Sequence, residues 1–186
     1  MMKNSNKHIA LLTETGFEEV ELTHPKKALE DAGFRVDIIS PQAKIKSWNN
    51  GNWNMELDVD KLLTDADPKD YDGLLIPGGV LNPDKLRRNE DAIGFINQFF
   101  DAGKPIASIC HGPQVLIETG ALQGRRMTSF SSIKTDLKNA GVRWENREVV
   151  TDQGLVTSRD PNDLDAFNSK MIEEFREGVH NRNKTI

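Results

Sequence analysis

Ile106-Ala107-Ser108-Ile109-Cys110-His111-Gly112-Pro113-Gln114-Val115-Leu116-Ile117 decides what kind of fold this chain adopts. Pro105 to Ile109 is apolar with no helical period, whereas Pro113 opens a run in which Val115, Leu116 and Thr119 recur at helical spacing. The pattern predicts strand, turn, helix, with Cys110 in the turn. Small Ser108 before it and Gly112 after it suit a sharp turn that pushes one side chain outward. That is the logic of a nucleophile elbow, with sulfur in place of oxygen. Pro113 fits the first helical position, where its missing N–H costs nothing.

The thiol then sits beside free main-chain amides, whose partial positive charge favours a thiolate. An unperturbed thiol, with a pKa of about 8.5, is only roughly 3 per cent ionised at pH 7. A helix terminus supplies about 0.3–1 kcal/mol, against the roughly 2.7 kcal/mol needed to make the thiol mostly ionised. A second group must help. A lone cysteine is most often a small buried hydrophobe. His111, Gly112 and Pro113 would continue a buried strand poorly, which favours a functional thiol here.

Working outward, 186 residues suit one domain able to bury about 70 per cent of its unfolded surface. The net charge of −5 and pI near 5.4 show no basic excess, so nucleic acid is not an expected partner. One cysteine makes no internal disulfide. With no signal peptide and no apolar run near the length of a membrane span, a cytoplasmic protein without a membrane partner is expected. His8, His24, His111 and His180 are scattered and no CxxC or HxxxH spacing occurs, so neither metal nor cofactor is expected.

Residues 1–7 read as a flexible polar start, 8–177 as an α/β domain and 178–186 as a polar tail. His8 to Thr13 is a buried strand. After the Glu14-Thr15-Gly16 turn, Phe17 to Leu22 opens a helix, interrupted or kinked near Pro25 and stopped at Gly33. Arg35 to Ser40 completes a parallel βαβ unit. Lys44 to Leu57 breaks the rhythm as a hairpin whose Trp48 and Trp53 could line a pocket, cover a sheet edge or meet another subunit. Asp58 to Ala66 reads as a short helix. Asp72 to Pro77 is a strand ending at Gly78-Gly79, where backbone amides can approach a ligand closely.

Pro83 to Ala102 reads as one long amphipathic helix, followed by the Cys110 strand. Thr128 to Ser132 offers hydroxyl caps to a helix ending at Gly141. Glu148 to Thr151 and Leu155 to Ser158 form a hairpin, and Asp163 to Glu177 is the closing helix. The alternation predicts a doubly wound, mostly parallel α/β sheet sandwiched by helices, with its site outside the carboxyl ends of the strands. Three of those ends are chemically unusual. They carry Glu18, Gly78-Gly79 and Cys110-His111.

With those residues in place, the chain resembles the PfpI-type intracellular proteases and amidases of the class I glutamine amidotransferase-like superfamily, which includes the Parkinson-associated deglycase. The resemblance rests on Phe17-Glu18-Glu19-Val20-Glu21-Leu22, Leu75-Ile76-Pro77-Gly78-Gly79, the run from Gly103 to Gln114, and the run from Thr157 to Leu164. It spans nearly the whole chain and implies a flavodoxin-like single domain.

It also implies that Cys110 is the nucleophile and that a protonated Glu18 hydrogen-bonds its sulfur, while Glu19 and Glu21 complement the helix dipole. His111 has two candidate contributions, an imidazole acting as general base and a main-chain N–H forming an oxyanion hole with that of Gly79. In these proteases an acid from a neighbouring subunit orients the histidine; Asp84 is the candidate. Its loop is one residue longer than the family pattern and aspartate is shorter than glutamate. A first-turn acid after Pro83 explains Asp84 equally well.

The implied function is a cysteine-dependent hydrolase with a stress-protection role, a protease, amidase, deglycase or glyoxalase, working on a small acyl, amide or aldehyde-derived group. Glycated or unfolded protein is a candidate partner, and a homo-oligomer, dimer or higher, is expected. The alternative is a redox sensor or holdase-type stress protein in which Cys110 is oxidised without turnover. A glutaminase subunit is disfavoured, because Ser158-Arg159-Asp160-Pro161 stands where a His-x-Glu pair would be required.

Overall fold

The apolar runs become strands and the amphipathic runs helices in a computed structural model that describes residues 7–180. The chain starts with His8–Leu12 (β1), Phe17–Glu18 (β2), Glu19–Asp31 (α1) and Arg35–Ser40 (β3). Lys44–Asn49 (β4) and Asn52–Asp58 (β5) form the hairpin, followed by Lys61–Leu62 (β6) and Gly73–Ile76 (β7). Leu81–Leu86 (α2), Glu90–Asp101 (α3), Ile106–Ile109 (β8) and Pro113–Leu116 (α4) carry the chain past Cys110. Arg126–Met127 (β9), Lys134–Asn139 (α5), Arg143–Trp144 (β10), Val149–Asp152 (β11), Leu155–Ser158 (β12) and Leu164–Glu177 (α6) complete it.

The main sheet has seven strands in the order β11-β12-β8-β7-β1-β3-β6. All pairs are parallel except β11 with β12. Alternate residues feed two core layers, as the two-residue period of a strand requires. Ala10, Leu12, Leu74 and Ile76 pack with Phe95, Ile96, Phe99 and Phe100 of α3 on one face. Ile9, Leu11 and Leu75 pack with Leu22 and Leu29 of α1 and Phe167, Met171 and Phe175 of α6 on the other. This is the doubly wound flavodoxin-like fold. Among the described residues no helix is long and apolar enough to cross a membrane.

Several elements differ from the sequence expectation, each for a local reason. Phe17–Glu18 is a strand paired with β4, so α1 begins only at Glu19, and it runs unbroken through the buried Pro25. Asp58 to Ala66 is not a helix. The main-chain N–H of Asp60 donates to Ile38 O at 2.9 Å and its carboxylate accepts from Ile38 N at 2.7 Å, drawing Lys61–Leu62 alongside β3 as an edge strand. The long helix from Pro83 to Ala102 is two helices, because the Asn89 side chain accepts from Ala92 N at 3.1 Å and caps a new start.

The helix after Cys110 is a single turn passing into a 3-10 segment at Ile117–Thr119. Neither the 3-10 turn at Ser131–Ile133 nor α5 has a side-chain cap; Ser129 and Ser132 bond elsewhere. At the chain ends, Lys7 Nζ donates to Phe175 O at 2.8 Å and His180 N to Gly103 O at 2.7 Å. The remaining residues expected to be flexible, 1–6 and 181–186, lie outside the described residues.

Candidate active site

Strands β1, β7 and β8 lie side by side, so the turns after them meet at one end of the sheet. This is the crevice beside the topological switch point, where open α/β sheets bind ligands. The hairpin leans over it, since β4 pairs with β2. Glu19, at the first position of α1, holds the hairpin by accepting from Ser47 Oγ at 2.5 Å, Asn49 Nδ2 at 3.2 Å and Asn54 Nδ2 at 2.8 Å. Those bonds keep the Glu19 carboxyl below its usual range. Glu19 therefore ties two elements together.

Cys110 sits in the left-handed region at φ 61°, a conformation that costs a residue with a Cβ about 1–3 kcal/mol unless its surroundings enforce it. They do. Its N–H donates to Ser158 O at 3.0 Å, and its carbonyl accepts from Phe130 N at 2.9 Å. The side chain is 7 % exposed at the base of the cleft. With α4 only four residues long, the helix dipole adds little here.

The residue facing the sulfur is Glu21, not Glu18. Glu21 is fully buried, and a Cβ on Gly78 would strike both its carboxyl Oε2 and, at 2.8 Å, Cys110 Cβ. Both Glu21 oxygens lack a conventional hydrogen-bond partner among the described residues. The Cys110 thiol and the Gly78 main chain are the polar groups in contact with them. Burial pushes the Glu21 pKa up to about 8, so its carboxyl keeps a proton at neutral pH.

Burial also pushes the Cys110 thiol up, aided by the charge of an ionised Glu21, while the N–H groups of His111 and Gly79 pull it down. The upward push from Glu21 vanishes when that carboxyl is neutral. Protonated Glu21 is then a donor to a thiolate, and the pair carries one negative charge rather than two. Gly79, at φ 84°, brings its N–H to the sulfur in a space where a Cβ would meet Gly16 O at 2.5 Å and Glu18 N at 2.6 Å.

His111 Nδ1 lies 3.2 Å from Cys110 Sγ and Nε2 lies 2.9 Å from Ser132 Oγ. Its ring stacks on Phe130 with centroids 4.7 Å apart. Burial lowers the imidazole pKa, keeping it neutral near pH 7 and able to accept a proton. The Ser132 hydroxyl fixes the ring orientation from within the same chain. Asp84, the residue expected to do so, is exposed on α2.

These groups open into a cleft of about 530 Å³ lined by Gly16, Glu18, Glu21, Trp48, Gly79, Val80, Leu81, Cys110, His111, Phe130 and Pro161. Glu18 is a wall of this cleft rather than the sulfur's partner. Its carboxyl is raised by burial and then by the nearby charge of Glu19. Cys110, His111, Gly79 and Glu18 are thus brought together and Asp84 is not among them. Glu21, Ser132 and Phe130 join them without having been singled out. One signal for Glu21 was present, since it shares the i, i+4, i+8 stripe of α1 with buried Pro25 and Leu29. Among the described residues one group of candidate metal ligands occurs, Glu174, Glu177 and His180 at the end of α6, and none of them lines the cleft.

Fold and site together define a flavodoxin-like α/β protein with a cysteine on a strained elbow. The family model described as DJ-1/PfpI matches residues 7–174, and the chain belongs to the DJ-1/PfpI family. It is 42% identical over 167 residues to the Bacillus subtilis protein named "Putative cysteine protease YraA", covering 90% of this chain and 97% of that one. It is 40% identical over 169 residues to Deglycase TK1284 of Thermococcus kodakarensis, covering 90% and 99%. Among solved structures, an Anabaena variabilis two-domain protein with DJ-1/ThiJ/PfpI-like and ferritin-like domains superimposes with a TM-score of 0.86 at 34% identity. That match covers 92% of this chain and 48% of the other, so this chain spans about half of the two-domain protein.

Proposed function

We propose that this protein is a cysteine-dependent hydrolase of amides or of aldehyde-derived adducts, a peptidase or deglycase. The observation that carries the reading is the 3.2 Å approach of His111 Nδ1 to Cys110 Sγ on a strained elbow, with the Gly79 and His111 amides beside it. Relatives named as a cysteine protease and as a deglycase support the same class.

In this reading, the thiol proton passes to His111 Nδ1 and the thiolate attacks the substrate carbonyl carbon. The C=O π electrons move to oxygen, and the oxyanion is held by the N–H groups of Gly79 and His111. Collapse of the tetrahedral intermediate breaks the C–N bond, and the imidazolium returns its proton to the leaving amine. Water, deprotonated by His111, then hydrolyses the thioester and restores the thiol. Protonated Glu21 stabilises the sulfur anion whenever it is free.

We further propose that the protein acts as a homo-oligomer in which Asp84 works across a subunit interface. Exposed Val80 and Leu81, beside the cleft, supply apolar area for such a contact. The cytoplasm, where thiols stay reduced, suits the single free cysteine.

The test compares wild type, Cys110→Ser and His111→Ala on methylglyoxal, methylglyoxal-treated amines and fluorogenic peptide amides. Turnover lost in both variants on one substrate supports the hydrolase and identifies its reaction. No Cys110-dependent turnover on the panel, with stoichiometric oxidation of Cys110 by peroxide, overturns it in favour of the redox-sensor alternative.

A further inference from the structure

The Glu18 carboxyl is a charge without a counterpart. It is part of the cleft wall, half-buried, and accepts no hydrogen bond and forms no ion pair among the described residues. Its neighbours in the cleft are apolar or aromatic: Trp48, its register partner across β2 and β4, then Val80, Leu81 and Phe130. No lysine or arginine lines the cleft. The arginine nearest in sequence to its Pro161 edge, Arg159, is committed to Asp163 at 2.8 and 2.9 Å and to Asn146 at 3.0 Å. Asp160 adds a further negative charge, felt at Glu21.

A carboxylate withdrawn from water with no counterion is costly, and a ligand that brings a positive charge removes that cost. Trp48 offers the same ligand an aromatic face beside the carboxylate. An anionic group would meet only acids and apolar side chains. The cleft is therefore built for one sign of charge.

We infer that the cleft selects substrates bearing a cationic group, an ammonium or guanidinium on an otherwise apolar body, and that Glu18 is the residue that reads the charge. This names the substrate class of the proposed hydrolase and rests on that reading, so adducts and amides of lysine or arginine side chains are favoured over carboxylate- or phosphate-bearing ones. Glu18 acts as a specificity residue and takes no part in bond making.

The charge preference can be measured without any turnover, by the rate at which Cys110 is labelled by methanethiosulfonates carrying a trimethylammonium, a methyl or a sulfonate group. Each rate is divided by that of a small thiol in solution. The cationic reagent should lead the anionic one by about tenfold or more at low salt. Glu18→Gln should shrink that ratio at least about threefold, Glu18→Asp should keep it, and Glu18→Lys should invert it. A wild-type preference for the sulfonate, or a ratio unchanged in Glu18→Gln, overturns the inference.

A second arm compares arginyl and glutamyl coumarin amides. Wild type should favour the arginyl amide, and Glu18→Gln should raise its KM with little change in kcat. Absence of turnover on either amide would count against the hydrolase alone, because the labelling ratio is decided independently.

Discussion

Glu21 is enclosed against Cys110 beneath Gly78, so closely that a single methyl group on that glycine would overlap the carboxyl of one and the Cβ of the other. Two acids in one buried space cannot both ionise cheaply, and burial assigns the retained proton to the carboxyl, whose pKa rises to about 8. The elbow and this neutral acid are the two features from which the chemistry follows.

Gly78→Ala tests the closeness of that packing. The added Cβ has to displace Glu21 or the elbow backbone, an overpacking cost of about 1–3 kcal/mol. Thermal unfolding should show a lower Tm, and Cys110 labelling should change with it. An unchanged Tm with unchanged labelling would mean that the space is looser than described.

The buried carboxyl also sets a pH dependence of stability. Folded Glu21 holds its proton up to about 8, whereas the unfolded group releases it near 4.5. Between those values the folded state binds more protons, so stability from this group is full below 4.5 and falls as pH rises through 8. The whole span corresponds to at most about 5 kcal/mol. Urea unfolding from pH 5 to 8.5 should show this decline, and Glu21→Gln should flatten it. Equal slopes for the two proteins would contradict the assignment.

His111 should behave as a base whose acid limb lies below the ordinary 6.5, because burial lowers its pKa. His111→Ala retains the main-chain amide, so turnover should fall by roughly 10²–10⁴ while Cys110 stays labelled. Ser132→Ala should cost less, about tenfold, and shift the acid limb, since it removes only the bond that orients the ring. Ser132→Thr should restore both rate and limb. Loss of rate in Ser132→Ala with an unmoved pH profile would point to a merely structural serine.

The sheet was legible because its central strands are short apolar runs between turn residues, a pattern that survives any tertiary context. Cys110 was legible because Ser108, Gly112 and Pro113 leave the chain few other local conformations. The helix boundaries were less so. Pairing of Phe17–Glu18 with β4, a contact far away in sequence, delays the start of α1 to Glu19. That delay turns Glu21 toward the sulfur and leaves Glu18 on the wall. The run from Pro83 to Ala102 has apolar periodicity throughout, and only the capping bond of Asn89 divides it. Ser132 and Phe130 carried no readable signal, because their role depends on Phe130 N bonding to Cys110 O across the fold.

The most direct measurement is the rate of iodoacetamide alkylation of Cys110 against pH, in wild type, Glu21→Leu and Glu18→Gln. If protonated Glu21 stabilises the thiolate, Glu21→Leu leaves a buried sulfur with the amides alone, and alkylation at pH 7 slows by about tenfold or more with its midpoint moved upward. Glu18→Gln should leave the midpoint nearly unchanged. If Glu21 is instead ionised at neutral pH, its removal relieves a repulsion and Glu21→Leu reacts faster than wild type, with a lower midpoint, which would contradict the account.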